Sequence, residues 1–143
     1  MKQNPSKLKY KKNHRPSSSN LYLIQQKTFY PLKGFLALKS LENAKLTYKQ
    51  IEACRKSVRR VLKKQGNVFL RVFTDISLTK KSVASRMGKG KGAHHVWVAL
   101  IKKGQIICEV SAVTVDIINS SLKALKAASS KLPVKTKIIY NYY

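Results

Sequence analysis

The residues best suited to chemistry lie in Ser85-Arg86-Met87-Gly88-Lys89-Gly90-Lys91-Gly92-Ala93-His94-His95, where three glycines alternate with two lysines behind an arginine. From Thr79 to His95 the chain carries Lys80, Lys81, Arg86, Lys89 and Lys91 and no acid. Alternating glycine removes regular backbone preference, permits positive φ and lets N–H groups come close to a ligand. Lysine and arginine between the glycines add charge without apolar bulk. That combination suits a polyanion, and phosphate above all. It is neither of the two familiar nucleotide loops. Lys91-Gly92 leads into Ala93 and a strand-like run, where a P-loop needs Lys-Ser/Thr opening a helix, and no G-x-G-x-x-G runs through Gly88, Gly90 and Gly92. A solvated hairpin loop is the alternative reading of the same residues.

Other chemistries find less support. Glu42, Glu52, Asp75, Glu109 and Asp116 are dispersed and form no acid pair in sequence. His94 and His95 are adjacent, so a strand points them to opposite faces, a poor geometry for joint metal binding. Cys54 and Cys108 sit in apolar contexts without a C-x-x-C and read as small buried residues in a reducing compartment. The expectation is a non-enzyme with no cofactor and no metal site.

Charge supports the polyanion reading. Thirty Lys plus Arg stand against five acids over 143 residues, a net charge of +25 at pH 7. Self-repulsion of that size favours a chain whose partner supplies negative charge. Apolar residues make up 43% of the sequence, enough for one modest core. The longest strongly apolar run, Val96 to Ile101, is too short to span a bilayer, so no membrane anchor is expected.

The elements that position these residues follow from pattern. Residues 1–20 form a basic N-terminal arm with Lys7, Lys9, Lys11, Lys12, His14 and Arg15, a composition also found in transit peptides. Residues 21–143 form a single domain. Residues 21–41 suggest one or two strands broken near Pro31 and Gly34. Thr47 with Gln50 has capping-box spacing, and Ile51, Cys54, Val58, Val61 and Leu62 fall on one helical face until Gly66. Lys49, Lys56, Arg59, Arg60, Lys63 and Lys64 occupy the opposite side, with Glu52 as the one acid there. Ordinary solvated faces mix signs, so this one is assigned to phosphate. A strand over 67–73 and a connector over 75–81 lead to the loop. His95–Ile101 and Gln105–Val110 read as a hairpin about Lys102-Lys103-Gly104. A second helix spans 115–131 before Pro133, and Lys135–Tyr140 is a last strand. The fold class is α+β, two helices packed on a mostly antiparallel sheet, with a long basic Gly-rich loop and a basic arm.

The motifs also resemble a known family. Arg86-Met-Gly-Lys-Gly-Lys-Gly92, a short spacer and Trp97-Val-Ala-Leu-Ile101 look like the signature of the bacterial-type large-subunit ribosomal protein L-sixteen family. Leu46-Thr47 to Gln50–Ala53 with Arg55 resembles its first helix, Gln65-Gly66 with Arg71-Val72-Phe73 and Asp75 its next strand, and Lys131–Thr136 its C-terminal signature. Pro5, Lys7, Tyr10, Lys12 and His14-Arg15 resemble its basic arm. The resemblance implies a structural constituent of the large ribosomal subunit. Its partners would be large-subunit rRNA, tRNA acceptor arms near the functional centre and neighbouring ribosomal proteins. The implied RNA-binding residues are the arm (Lys7, Lys9, Lys11, Lys12, His14, Arg15), the helix (Lys56, Arg59, Arg60, Lys63, Lys64), the loop (Lys80, Lys81, Arg86, Met87, Gly88, Lys89, Gly90, Lys91, Gly92) and Lys135. In some bacterial members the arginine matching Arg86 is hydroxylated. The arm aligns with the family's mature arm without an added presequence, and lysine, isoleucine and tyrosine are frequent. The expectation is synthesis in an AT-rich organelle and placement in the mitochondrial matrix, with plastid or bacterial ribosomes as alternatives. A free-standing basic RNA chaperone or nucleoid-type binder is the rival function.

Overall fold

A computed structural model describes residues 4–6, 8–14, 29–63, 65–111 and 115–141. Of the residues singled out from sequence, Lys7, Arg15 and Lys64 and the expected strand near 21–24 lie outside the described residues.

The elements run β1 (Leu36–Ser40), β2 (Ala44–Thr47), α1 (Tyr48–Leu62), β3 (Asn67–Leu70), β4 (Ile76–Lys80), β5 (Ala93–Ile101), β6 (Ile106–Ser111), α2 (Val115–Ser129) and β7 (Thr136–Tyr140). They build two antiparallel sheets, one ordered β3-β6-β1-β7 and one ordered β2-β5-β4. The fold is α+β, with two helices packed on antiparallel sheets.

Sequence explains the order in the larger sheet. β1 and β6 are apolar at nearly every position and lie in the middle, buried along their lengths. β7, with Lys137 near its start, takes an edge, where charge discourages further pairing. The helices pack against each other, α1 also touching β2, β3 and β5, and α2 touching β1 and β7. Leu36, Leu38, Leu46, Ile51, Cys54, Val58, Leu62, Ala99, Ile107, Leu125 and Ala128 meet in the core between them.

α1 starts as its sequence demands. The Thr47 N–H donates to Gln50 Oε1 at 2.9 Å, and the Gln50 N–H donates to Thr47 Oγ1 at 3.4 Å. Its end differs from expectation. The helix stops at Leu62, not Gly66, because Lys63 turns out at φ 51° and the Gln65 N–H then closes on the Leu62 carbonyl. Lys63 is therefore a cap residue rather than a helical one. Val61 is 40% exposed, so the buried stripe is Ile51, Cys54, Val58 and Leu62. α2 likewise ends at Ser129, before Pro133, in a turn closed by Lys131 N–H on Ala128 O and Leu132 N–H on Ser129 O.

Three strand assignments change. Residues 76–80 form β4 rather than a connector, β2 was not expected, and β3 ends at Leu70. The pairing of β5 with β6 is also corrected. Lys102–Gln105 is a tight turn, with the Gln105 N–H on Lys102 O at 3.1 Å, but it passes the chain from one sheet to the other. β1 takes the place of the hairpin partner: the Ser40 N–H bonds Gln105 O and the Gly104 N–H bonds Ser40 O. A Cβ on Gly104, at φ 90°, would also lie 2.9 Å from the Phe29 ring.

Cys54 on α1 and Cys108 on β6 are free, buried and in side-chain contact. The hydrogen bond with Cys54 and burial push the Cys108 thiol well above its ordinary value, so it is protonated at neutral pH. Both act as core residues, as their apolar surroundings in sequence suggest.

Glu109 holds the segment before β1. Its fully buried carboxylate accepts from the N–H groups of Lys33 at 2.8 Å and Gly34 at 3.0 Å, with Leu32 at 3.2 Å, and faces Arg71 at 3.3 Å. Gly34 is required by close approach, since a Cβ there would lie 2.8 Å from Glu109 Cβ.

Candidate nucleic-acid interface

β4 and β5 form an antiparallel stalk whose pairing runs from Ile76↔Val98 to Lys80↔Ala93. The chain beyond that last pair, residues 81–92, is the basic glycine-rich loop. Alternating Ile76-Ser-Leu-Thr-Lys80 suits a strand with one face inward. Ser77 is buried because its hydroxyl lies 2.6 Å from His94 Nδ1, and the His94 and Trp97 ring centres lie 4.7 Å apart. His94 is half-buried and His95 exposed. Leu78 faces Val96 and Thr79 faces His94, so His95 is the extra residue of a bulge beside the loop.

Lys80, Lys81, Arg86, Met87, Gly88, Lys89, Gly90 and Lys91 are all exposed, and Gly92 is half-buried. The loop nevertheless has a defined path. Gly88, Lys89 and Gly90 take φ of 93°, 54° and 78°, three successive left-handed residues. The Lys81 ammonium donates to the Gly88 carbonyl at 2.6 Å, and the Ser85 N–H donates to Ser82 O at 3.1 Å. Val83 and Met87 are essentially fully exposed at 98% and 101%. Sequence reasoning included Met87 and missed Val83, whose signal was an apolar residue without a periodic partner.

The loop glycines are needed for two different reasons. A Cβ on Gly88 or Gly90 would meet nothing within 4 Å, so conformation alone selects glycine there. A Cβ on Gly92 would stand 2.5 Å from the Lys80 carbonyl oxygen, so the neck of the loop selects it by contact. Gly92→Ala should therefore lower the unfolding free energy by about 1–3 kcal/mol through overpacking. Gly88→Ala should leave it within about 0.5 kcal/mol, because an exposed loop rearranges instead. Urea denaturation of the two variants checks this, and equal losses would contradict it.

The N-terminal arm reaches the loop. Asn4 Oδ1 accepts from the buried Thr74 hydroxyl at 2.8 Å. Further along, the Lys12 ammonium donates to the Lys91 carbonyl at 3.2 Å, and the Lys91 ammonium donates back to the Asn13 carbonyl. Lys9, Lys11, Lys12 and His14 are exposed on this arm, and Lys9 Nζ lies 5.6 Å from the centre of the Tyr10 ring.

Lys49, Lys56, Arg59, Arg60 and Lys63 are exposed on the outer side of α1 and its cap. Glu52 does not offset them, since Arg55 grips its carboxylate through two nitrogens at 2.6 and 2.9 Å. That hydrogen bond holds the Glu52 carboxyl below its ordinary value. Lys135 stands apart from the loop. It precedes β7 and faces Glu42 at 3.6 Å, while Lys103 N–H bonds Asn43 Oδ1 beside it, at the end of β5 remote from the loop.

Among the described residues no group of three or more His, Cys, Asp or Glu is placed to hold a metal ion. No helix among them is long and apolar enough to cross a membrane. The arrangement offers cations, backbone N–H groups and two exposed apolar side chains, a set suited to an RNA backbone and its bases.

Comparison with known proteins agrees with this chemistry. Residues 5–139 match the family described as ribosomal protein L16p/L10e. The large ribosomal subunit protein uL16c of Euglena longa is 44% identical over 137 residues, covering 95% of this chain and 96% of that protein. The uL16 protein of Phytoplasma australiense is 41% identical over 138 residues, 94% of each. The uL16 protein of Fervidobacterium nodosum is 37% identical over 139 residues, 97% of this chain and 94% of its own. The match takes in the arm, the stalk, the loop and both sheets, and the chain belongs to the ribosomal protein L16p/L10e family.

Proposed function

We propose that the chain holds large-subunit rRNA through its arm and its α1 face, and that the loop over residues 81–92 supports tRNA placement near the peptidyl-transferase region. As a member of its family it is a structural, non-enzymatic constituent of the large ribosomal subunit, binding rRNA and other ribosomal proteins. The observation that carries the finer reading is the loop: an acid-free, exposed cationic segment raised on a two-stranded stalk. Its side chains add little to the core, so their charge is available for a partner. Catalysis in this reading belongs to RNA, and the protein contributes position and charge neutralisation.

Replacing Arg86, Lys89 and Lys91 together with alanine should leave the unfolding free energy within about 0.5 kcal/mol, as for other exposed surface changes. Ribosomes carrying that variant should bind tRNA more slowly and less tightly. Wild-type tRNA-binding and peptidyl-transfer rates would contradict the role of the loop. The rival, a free-standing RNA chaperone, predicts that most of the protein sediments outside the large-subunit peak in a salt-washed gradient. The mitochondrial matrix is the proposed location, supported by the lysine, isoleucine and tyrosine bias of the sequence. Recovery in purified mitochondrial ribosomes tests it, and recovery in plastid or bacterial ribosomes would replace it.

A further inference from the structure

The arm and the neck of the loop are joined by a contact that charge alone would oppose. Lys12 and Lys91 each donate to a carbonyl of the other segment, although the two segments carry only positive charge. Lys81 lies on the same neck, its ammonium on the Gly88 carbonyl. Beside them is a cleft of about 380 Å³ lined by Thr79, Lys81, Lys91 and Gly92.

We propose that this cleft, between the loop neck and the docked arm, binds a single phosphate group. The proposal deepens the RNA-binding reading and rests on it for the source of the phosphate, a phosphodiester of RNA. Each ammonium carries three N–H donors, and the carbonyl it touches takes one. Lys81 and Lys91 therefore retain donors for an oxyanion, and the Thr79 hydroxyl adds a neutral one. Gly92 keeps the wall close, because its missing Cβ lets the backbone lie against Lys80. An anion in the cleft would offset the repulsion among Lys12, Lys81 and Lys91. Phosphate binding and arm docking are then coupled, and the arm is held most firmly when the cleft is filled.

The same chemistry would accept a free phosphate compound, so the test uses two probes on the full chain. Inorganic pyrophosphate and an unstructured hexauridylate are titrated separately while backbone amide signals are followed by NMR. The proposal predicts saturable shifts at Thr79, Gly92 and Asn13 with both probes. Lys91→Gln should weaken pyrophosphate binding by about tenfold, as expected when one charge-assisted hydrogen bond is removed. Thr79→Val, which preserves shape, should weaken it less, and Lys126→Gln on α2 should leave it unchanged. Dispersed spectra of each variant confirm that it is folded.

Shifts that never saturate and spread evenly over the lysines of α1 and α2 would overturn the cleft, as would an unaltered affinity in Lys91→Gln. Saturation by hexauridylate with no response to pyrophosphate would overturn it while leaving RNA binding in place. Saturation by pyrophosphate alone would keep the cleft and remove its RNA source, failing the broader reading instead.

Discussion

Replacing Glu109 with alanine is expected to lower the unfolding free energy by about 3–5 kcal/mol, the usual cost of breaking a buried ion pair by deleting one partner. The carboxylate is completely buried, faces Arg71 and receives the N–H groups of Leu32, Lys33 and Gly34. Alanine would strand those three donors beneath the sheet and remove the charge opposite Arg71. Natural domains are stable by only about 5–15 kcal/mol, so the change would remove much of that margin. Glu109→Gln keeps the volume and one carbonyl acceptor and should cost less. Urea denaturation gives both values, and a loss below about 1 kcal/mol for alanine would show that the segment before β1 is held by other interactions. Since neither the loop nor α1 uses this carboxylate, RNA affinity of the folded variant should match wild type.

The second large effect is electrostatic. Changing Arg59, Arg60 and Lys63 together to glutamine should flatten the salt dependence of rRNA binding. Removing one phosphate contact takes about 0.7–0.9 off the slope of log affinity against log salt, so the full triple takes off up to about 2–3. The three residues are exposed and Glu52 is held by Arg55, so the substitution deletes charge without breaking the helix pair. Binding to large-subunit rRNA measured between about 50 and 200 mM salt reads the slope. An unchanged slope would mean that the helix face is only solvated.

Some of this molecule was legible in its sequence because the signals are local. Thr47 and Gln50 form the expected capping box, and Ile51, Cys54 and Val58 mark the buried side of α1 through spacing alone. The exposed basic loop was equally visible, since no apolar pattern runs through residues 85–92. What escaped was set by partners distant in the chain. The Lys102–Gln105 turn looks like a hairpin turn, but β1 bonds to it and draws β6 into the other sheet. β4 was hidden because its inward residue is Ser77, buried by a hydrogen bond to His94 rather than by apolar character. Glu109 read as one dispersed acid because its acceptor role depends on backbone about 75 residues away. The contact of Lys12 with Lys91 spans a similar distance and joins two like-charged segments, which no charge-pattern argument would pair.

The central claim is that one protein presents RNA with two separate cationic surfaces, the α1 face and the arm-buttressed loop. Ultraviolet cross-linking of purified large subunits, followed by mass spectrometry of the nucleotide-bearing peptides, tests it most directly. The account predicts cross-links within residues 48–63 and within 80–92. Cross-links confined to other surfaces, such as α2 or β7, with both of these segments unmodified would contradict it.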